Sequence, residues 1–266
     1  MSPAATREPA ALPPGGPTVT WLGHATAVAD FGPARVVFDP LFRSRARQAG
    51  RVDAVLITHS HVDHLNRWSL KAIDRDTHLF VPKGSAHVVA DLKFRQVTEV
   101  CPGDAVEVNG LTINAVETRH DQGRWRKGDS PCVLGYVVEG AGTAVHHAGD
   151  VDFSDHAVFN DIGKHHDIDV TLLPIGGMMP LRWYQSRRHL LDRGVHIDPD
   201  CAIDIFERLG AKAMVPIHWG TLNFRFGSPH APRHRLEQLV TERGMGGVAI
   251  LSHGQQLGIT DLGPRR

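Results

Sequence analysis

Residues 58–65 read Thr-His-Ser-His-Val-Asp-His-Leu and follow directly on the apolar run Val55-Leu56-Ile57. Four side chains able to ligate a metal, His59, His61, Asp63 and His64, fall within six positions. Imidazole and carboxylate are ligand types that suit zinc and its first-row neighbours. In extended backbone, residues two apart point the same way, so His59 and His61 can share one ion. Asp63 keeps that phase and His64 breaks it. The chain must turn there, and the second pair can face a different ion. With 18 histidines in 266 residues, a chance pair at spacing two is cheap. A His-x-His-x-Asp-His cluster at the end of a strand-like run is not.

Two ions need more than four ligands, and further candidates stand after other β-like runs. His120 follows the run 111–116. Asp150 closes His147-Ala148-Gly149-Asp150 after the run 143–147. His218 lies in Val215-Pro216-Ile217-His218-Trp219-Gly220-Thr221. Ligands at strand ends can converge although far apart in sequence. A carboxylate has two oxygens, so Asp150 can bridge both ions.

The strand-like runs are short and broken by Gly, Pro and Asp. They are predicted at 18–22, 26–31, 34–38, 53–57, 78–81, 96–100, 105–108, 111–116, 132–138, 143–147, 169–173, 213–217 and 247–251. Helices are predicted over 69–74 and 85–92, from Asp198-Pro199 through Leu209, and over 233–243 before Gly244. Ala202, Ile203, Ile205 and Phe206 have helical spacing. Two strand-rich halves, each with helices, predict an α/β fold of two packed sheets covered outside by helices. No linker-like stretch divides the chain, so residues 18–266 read as one domain.

Residues 1–17 are rich in Ala, Pro and Gly, lack the apolar core of a signal peptide, and are expected to form a flexible tail. Hydrophobic residues at 41% are enough for a sizeable core. Lys+Arg and Asp+Glu are both 29, so no net charge draws the chain to nucleic acid or an anionic membrane. No apolar stretch has the length of a membrane span, and stable membrane insertion is not expected. Cys101, Cys132 and Cys201 are distant in sequence and form no Cys-x-x-Cys pair. They read as reduced, mostly buried thiols of a cytoplasmic protein. A homo-oligomer stays open.

The ordered set His59, His61, Asp63, His64, His120, Asp150 and His218 resembles the dinuclear ligand set of the metallo-β-lactamase-fold hydrolases. The resemblance runs from about Val19 to Ile259. Trp21-Leu22-Gly23-His24-Ala25-Thr26, Phe38-Asp39-Pro40, Pro174-Ile175-Gly176 and Ile217-His218-Trp219-Gly220-Thr221 are similar to the branch containing N-acylphosphatidylethanolamine-hydrolysing phospholipase D and ascorbate-6-phosphate lactonase. His196-Ile197-Asp198-Pro199 leans towards the phospholipase side, where a comparable segment contributes an active-site histidine. The resemblance implies a single-domain, four-layer αββα sandwich of the metallo-β-lactamase type. It implies one ion on His59, His61, His120 and Asp150, and another on Asp63, His64, Asp150 and His218. The cofactors expected are two divalent metal ions, Zn2+ first, with Mn2+ or Fe2+ also suited to these ligands.

Such a site is expected to turn a water between the ions into hydroxide near neutral pH and to direct it at phosphorus or a carbonyl carbon. Asp63 would orient it, and His196 would contact substrate or leaving group. Asp39 is expected to orient a ligand histidine or water, and His24 to line the site or serve as a core histidine. His146 and His147 read as strand packing. Arg182, with Arg188, and Trp219 are candidates for substrate contact or support, and the cations around Trp125 are another. Guanidinium groups there suit a small anionic substrate. The reading is a dinuclear hydrolase of a phosphodiester or related anionic ester. The alternatives are a lactonase or weak β-lactam hydrolase and, from another class, a non-catalytic metal-binding module.

Overall fold

The computed structural model describes residues 16–120, 132–176, 196–222 and 228–263. Its strands alternate in side-chain environment, and that alternation places the layers. In the first sheet, β1 (Thr18–Gly23), β2 (Thr26–Asp30) and β3 (Arg35–Phe38) form a meander in which β2 is antiparallel to both neighbours. Next come β4 (Ala54–Leu56), β5 (His78–Pro82) and β6 (Gln96–Val100), each parallel to its neighbour. Ala27, Ala29, Val36, Phe38, Ala54, Leu56 and Phe80 enter the main core, whereas their neighbours Val28, Val37, Val55, Leu79 and Val81 enter a second cluster. A strand buried on both faces needs such an unbroken apolar run.

The second sheet contains β7 (Ala105–Val108), β8 (Leu111–Glu117), β9 (Leu134–Gly140), β10 (Thr143–His147), β11 (Val170–Pro174) and β12 (Ala213–Ile217). Its order is β12-β11-β10-β9-β8-β7, antiparallel from β7 to β10 and parallel from β10 to β12. Tyr136 reaches across to the first sheet and donates its hydroxyl to the Ile57 carbonyl at 2.9 Å. His146, one face over, meets Phe159 of the outer helix α4 (Ala157–His165) at 6.2 Å.

Helices close both outer faces. The short helices α1 (Arg43–Gln48), α2 (Arg67–Leu70) and α3 (Ala86–Val89) supply or flank the second cluster through Ala46, Leu70 and Val89. On the other side lie α4, α5 (Pro199–Leu209) and α6 (Ala231–Glu242), with Ile203, Phe206 and Leu236 in the main core. Asp198 caps α5 by accepting from the Cys201 amide at 3.0 Å, Pro199 opens the helix, and Gly210 at φ 60° ends it. The result is the expected αββα sandwich. No described helix is long and apolar enough to cross a membrane.

Several boundaries differ from expectation. The apolar run 247–251 contributes one parallel bridge, Met214 to Val248, and no strand. The edge beside β1 is taken instead by β13 (Gln256–Gly258), too short and too exposed to carry a period-2 signal. Two helices were not expected. The sequence of α1 is nearly all polar, and α4 contains Gly163, where a Cβ would meet the Leu209 carbonyl oxygen at 2.5 Å. That glycine allows α4 to approach the end of α5. Expected helix 69–74 is Arg67–Leu70, 85–92 is α3 followed by a 3-10 turn at Ala90–Leu92, and 233–243 is Ala231–Glu242.

The cysteines also need correction. All three are only half-buried, and the sulfurs of Cys101 and Cys132 lie 2.7 Å apart, joining the end of β6 to the approach to β9. The expected tail 1–17 falls almost wholly outside the described residues, but the Pro17 carbonyl accepts from the Ile259 amide at 2.9 Å.

Candidate metal centre

The candidate ligands gather at one end of the sandwich because each follows a strand that ends there. The octet follows β4. The Thr58 amide donates to Asp39 Oδ1 at 2.9 Å, which ties the start of the octet to the end of β3. The amides of His64 and Leu65 both donate to the His61 carbonyl, at 3.1 and 2.9 Å. This is the turn that the change of phase between Asp63 and His64 required. His120 follows β8, Asp150 follows β10, and His218 follows β12. His24 follows β1, and its carbonyl accepts from the His218 amide at 2.9 Å.

Two four-residue groups of donor atoms form, and a third, Asp150, His196 and His218, overlaps both. In the first, His59, His61, His120 and Asp150 converge within 4.8 Å. His59 Nε2 is 2.8 Å from His61 Nδ1, and His120 Nε2 is 3.3 Å from the same atom. Asp150 Oδ2 lies 3.7 Å from both His59 Nε2 and His120 Nε2. The second group is His24, Asp63, His64 and His218. Asp63 Oδ2 stands 2.9 Å from His24 Nε2, 3.6 Å from His218 Nε2 and 3.8 Å from His64 Nε2. Asp150 reaches this group too, with Oδ2 3.2 Å from His64 Nε2 and Oδ1 3.3 Å from His218 Nε2. His196, just before α5, brings Nε2 to 3.1 Å from Asp150 Oδ2.

The donor atoms fit cations better than they fit one another. Both Asp150 oxygens, His64 Nε2 and His218 Nε2 are buried, yet none has hydrogen-bond geometry to a partner. Leaving such groups unsatisfied is costly, and a divalent ion is the partner that lone pairs of imidazole and carboxylate share. Burial alone would raise the carboxyl pKa of Asp150, but His196, His218 and His64 outweigh it and hold the group well below the usual range. Asp63 is likewise held low, by His64, His218 and His24 against the effect of burial. Burial lowers His24 to about 4 and His196 to about 3, leaving neutral rings. At His64 burial is overcome by Asp150, Asp39 and Asp63, which raise its pKa well above the ordinary value. The surrounding carboxylates thus demand positive charge at this point.

The supporting residues are as tightly placed. Asp39 Oδ2 accepts from Thr58 Oγ1 and sits 2.7 Å from His64 Nδ1, the orienting position expected of it. His24, Asp39 and His218 have φ of 53°, 41° and 61°, a left-handed conformation that non-glycine residues rarely hold without a compensating purpose. His147 Nε2 donates to the Ala25 carbonyl and His146 Nδ1 pairs with Thr171 Oγ1, each at 2.8 Å, so both serve packing. Trp219 is buried, stacked on Trp21 at 4.9 Å, and donates to the Pro216 carbonyl. It underlies the His24 and His218 loops. Arg182, Arg188 and the cations around Trp125 lie outside the described residues.

Sequence reasoning missed two neighbours of this centre. Thr221 Oγ1 accepts from the His24 amide at 3.0 Å, and Arg45 Nη1 approaches the same oxygen at 3.4 Å. Thr221 stood inside a motif already noted. Arg45 carries no sequence signal, because only the fold brings α1 beside β1.

Comparison with known proteins agrees with this architecture. The profile of the family described as β-lactamase superfamily domain matches residues 28–219. A metal-dependent hydrolase of Myxococcus xanthus is 30% identical over 251 residues, covering 89% of this chain and 82% of the relative. The N-acyl-phosphatidylethanolamine-hydrolyzing phospholipase D 1 of Caenorhabditis elegans is 28% identical over 260 residues, covering 84% of this chain and 70% of that protein. Among solved structures, Igni18, a metallo hydrolase from the archaeon Ignicoccus hospitalis, superposes with a TM-score of 0.69 at 21% identity, covering 91% of this chain and 97% of that one. At that identity the likeness is one of fold.

Proposed function

The chain belongs to the β-lactamase superfamily, among its metal-dependent hydrolases, and we propose that it binds two divalent cations and hydrolyses a phosphodiester or related anionic ester. The observation that carries this reading is Asp150. Its carboxylate stands between two groups of imidazoles, 3.2 to 3.7 Å from four ring nitrogens, with that of His196 at 3.1 Å as a fifth, and makes no hydrogen bond. That placement supports a bridging role for this carboxylate.

Two cations bound here would supply Lewis acidity to a phosphoryl or carbonyl oxygen and make water acidic enough to ionise near neutral pH. His59, His61, His120 and Asp150 would hold one, and Asp63, His64, Asp150 and His218 the other. His24, hydrogen-bonded to Asp63, fixes the rotamer of that carboxylate. Asp63 keeps 15% side-chain exposure while Asp150 has none, so Asp63 is the carboxylate that would orient a reacting water by accepting its hydrogen bond. His196, 20% exposed and neutral, stands at the mouth of the site, where it can donate to the substrate or to the departing oxygen. The diester is favoured over a lactone or lactam by the likeness to the phospholipase. Zinc suits the donor set best, and manganese and iron also accept it.

The test is elemental analysis of protein purified without chelator, followed by turnover of bis(p-nitrophenyl) phosphate, an aromatic lactone and a β-lactam reporter. About two equivalents of metal and preferential diester hydrolysis are expected. Less than one metal per folded chain would remove the proposal. Lactone turnover without diester turnover would replace the substrate class.

A further inference from the structure

Several surface arginines among the described residues have an acid beside them. Arg35 pairs with Asp30, Arg67 with Asp91, Arg95 with Asp76, Arg119 with Glu117, and Arg235 with Asp200. The arginines of α1 do not. Among the described residues, no carboxylate lies within ion-pair distance of Arg43, Arg45 or Arg47. All three line one cleft of about 640 Å³, with Phe42, Ser44 and Trp68 completing its wall. Among the described residues, no carboxylate stands in that wall.

The cleft is linked to the candidate metal centre through Arg45. The half-buried Arg45 guanidinium lies against Gly23, where the absent side chain leaves it room. Its contacts are weak and neutral or weakly basic: Thr221 Oγ1 at 3.4 Å and His253 Nδ1 at 3.5 Å. Thr221 holds the His24 amide, and His24 holds Asp63, so Thr221 and His24 link Arg45 to Asp63 in the second ligand group. The aromatic walls are in place as well. Arg45 stands 5.3 Å from the Phe42 ring centroid and Arg43 5.8 Å from that of Trp68. Phe42 takes φ 61°, a costly conformation for a bulky residue, in doing so. Burial without a counter-ion also depresses the pKa of Arg45. Cations held close together without an acid are stabilised by an anion that all can contact, and guanidinium forks match phosphate oxygens in pairs.

We propose that the α1 cleft binds a second anionic group of the substrate, of the phosphate-monoester class, while the scissile ester lies at the metal centre. The substrate so defined carries a dianion beside an anionic ester. This rests on the hydrolase reading for its place in the reaction, but the anion site itself does not.

Titration calorimetry with methylphosphonate, a non-hydrolysable dianion, tests the cleft in the metal-loaded full chain. Wild type is compared with the Arg43→Gln/Arg45→Gln protein and with Ser44→Asp, which places a negative charge in the cleft at an exposed position. Both variants are expected to lose one binding event per chain or to weaken it at least about tenfold, the scale of one charge-assisted contact. Ser44→Asp decides alone if the double variant fails to fold. Unchanged stoichiometry and affinity, or no binding by wild type, overturns the proposal. Diester turnover with unchanged phosphonate binding refutes the cleft and keeps the hydrolase. Lost phosphonate binding in variants of a chain that hydrolyses nothing keeps the cleft and refutes the hydrolase.

Discussion

His64 Nδ1 lies 2.7 Å from Asp39 Oδ2, and both side chains are wholly buried. Asp39 already accepts the Thr58 amide and hydroxyl, so its second oxygen is fixed towards the ring. A carboxylate only accepts, so Nδ1 must carry a proton, and Nε2 is left facing Asp63 and Asp150, where a cation would take its lone pair. One buried acid just after β3 thereby selects the tautomer of a ligand on the loop after β4.

Asp39→Asn tests that selection. The amide can still accept from the Thr58 backbone and suits the left-handed conformation at this position, so folding should persist. Its amide face, however, opposes the His64 Nδ1 proton. Chelator competition should show roughly 10–100-fold weaker binding of one ion of the pair. Equal affinity for both ions in wild type and variant would show that Asp39 does not orient His64.

Asp63→Asn separates ligation from chemistry. Asp63 sits on the turn of the octet and is the more exposed of the two central carboxylates. Its loss should spare the core and reduce kcat on a diester that wild type cleaves by roughly 10²–10⁴-fold. Circular dichroism and metal content report whether the fold and the first ligand group survive. Wild-type turnover at full metal occupancy would assign the role elsewhere.

What could be read in advance divides along physical lines. The octet and the three later ligands were legible because ligation restricts residue type and strand-end position together. Burial on both faces made the β3–β5 runs legible too. His24 was only half legible. No ligand-spaced neighbour accompanies it, and its membership depends on β1 ending where β12 ends, a relationship seen in the His218 amide donating to the His24 carbonyl. Arg45 was silent because Arg-Ser-Arg-Ala-Arg-Gln shows too little apolar spacing to announce a helix. The run 247–251 misled for the opposite reason: it is apolar enough for a strand, but a glycine at φ 76° and a single bridge end its pairing.

Gly176 explains why the Pro174-Ile175-Gly176 motif ends as it does. A Cβ there would strike the backbone carbonyl of His218, and the strands cannot part because the Ile175 amide donates to Ile217 at 3.0 Å. His218 already holds a left-handed φ and has little freedom to retreat. Gly176→Ala should cost about 1–3 kcal/mol in urea unfolding and weaken the ion bound by His218. Gly263→Ala meets nothing within 4 Å and serves as the neutral control. A Gly176→Ala protein as stable as that control would show that the loops yield.

His146 makes stability depend on acid without touching the metal ligands. Its ring is buried against Phe159 and pairs with Thr171. Burial first, then His147 and His166, lowers its pKa from 6.5 to about 3. Between those values the unfolded chain takes up a proton that the folded chain refuses. The stability contribution is therefore whole above pH 6.5 and drains as the pH falls towards 3. The slope is about 1.4 kcal/mol per pH unit, or about 2 kcal/mol between the upper limit and about pH 5. His146→Gln keeps a polar partner for Thr171 and has no proton to gain. With chelator present in both proteins, urea unfolding should show the variant losing less stability on acidification by that amount. Parallel stability curves across the range would mean that His146 is hydrated or protonated in the native state.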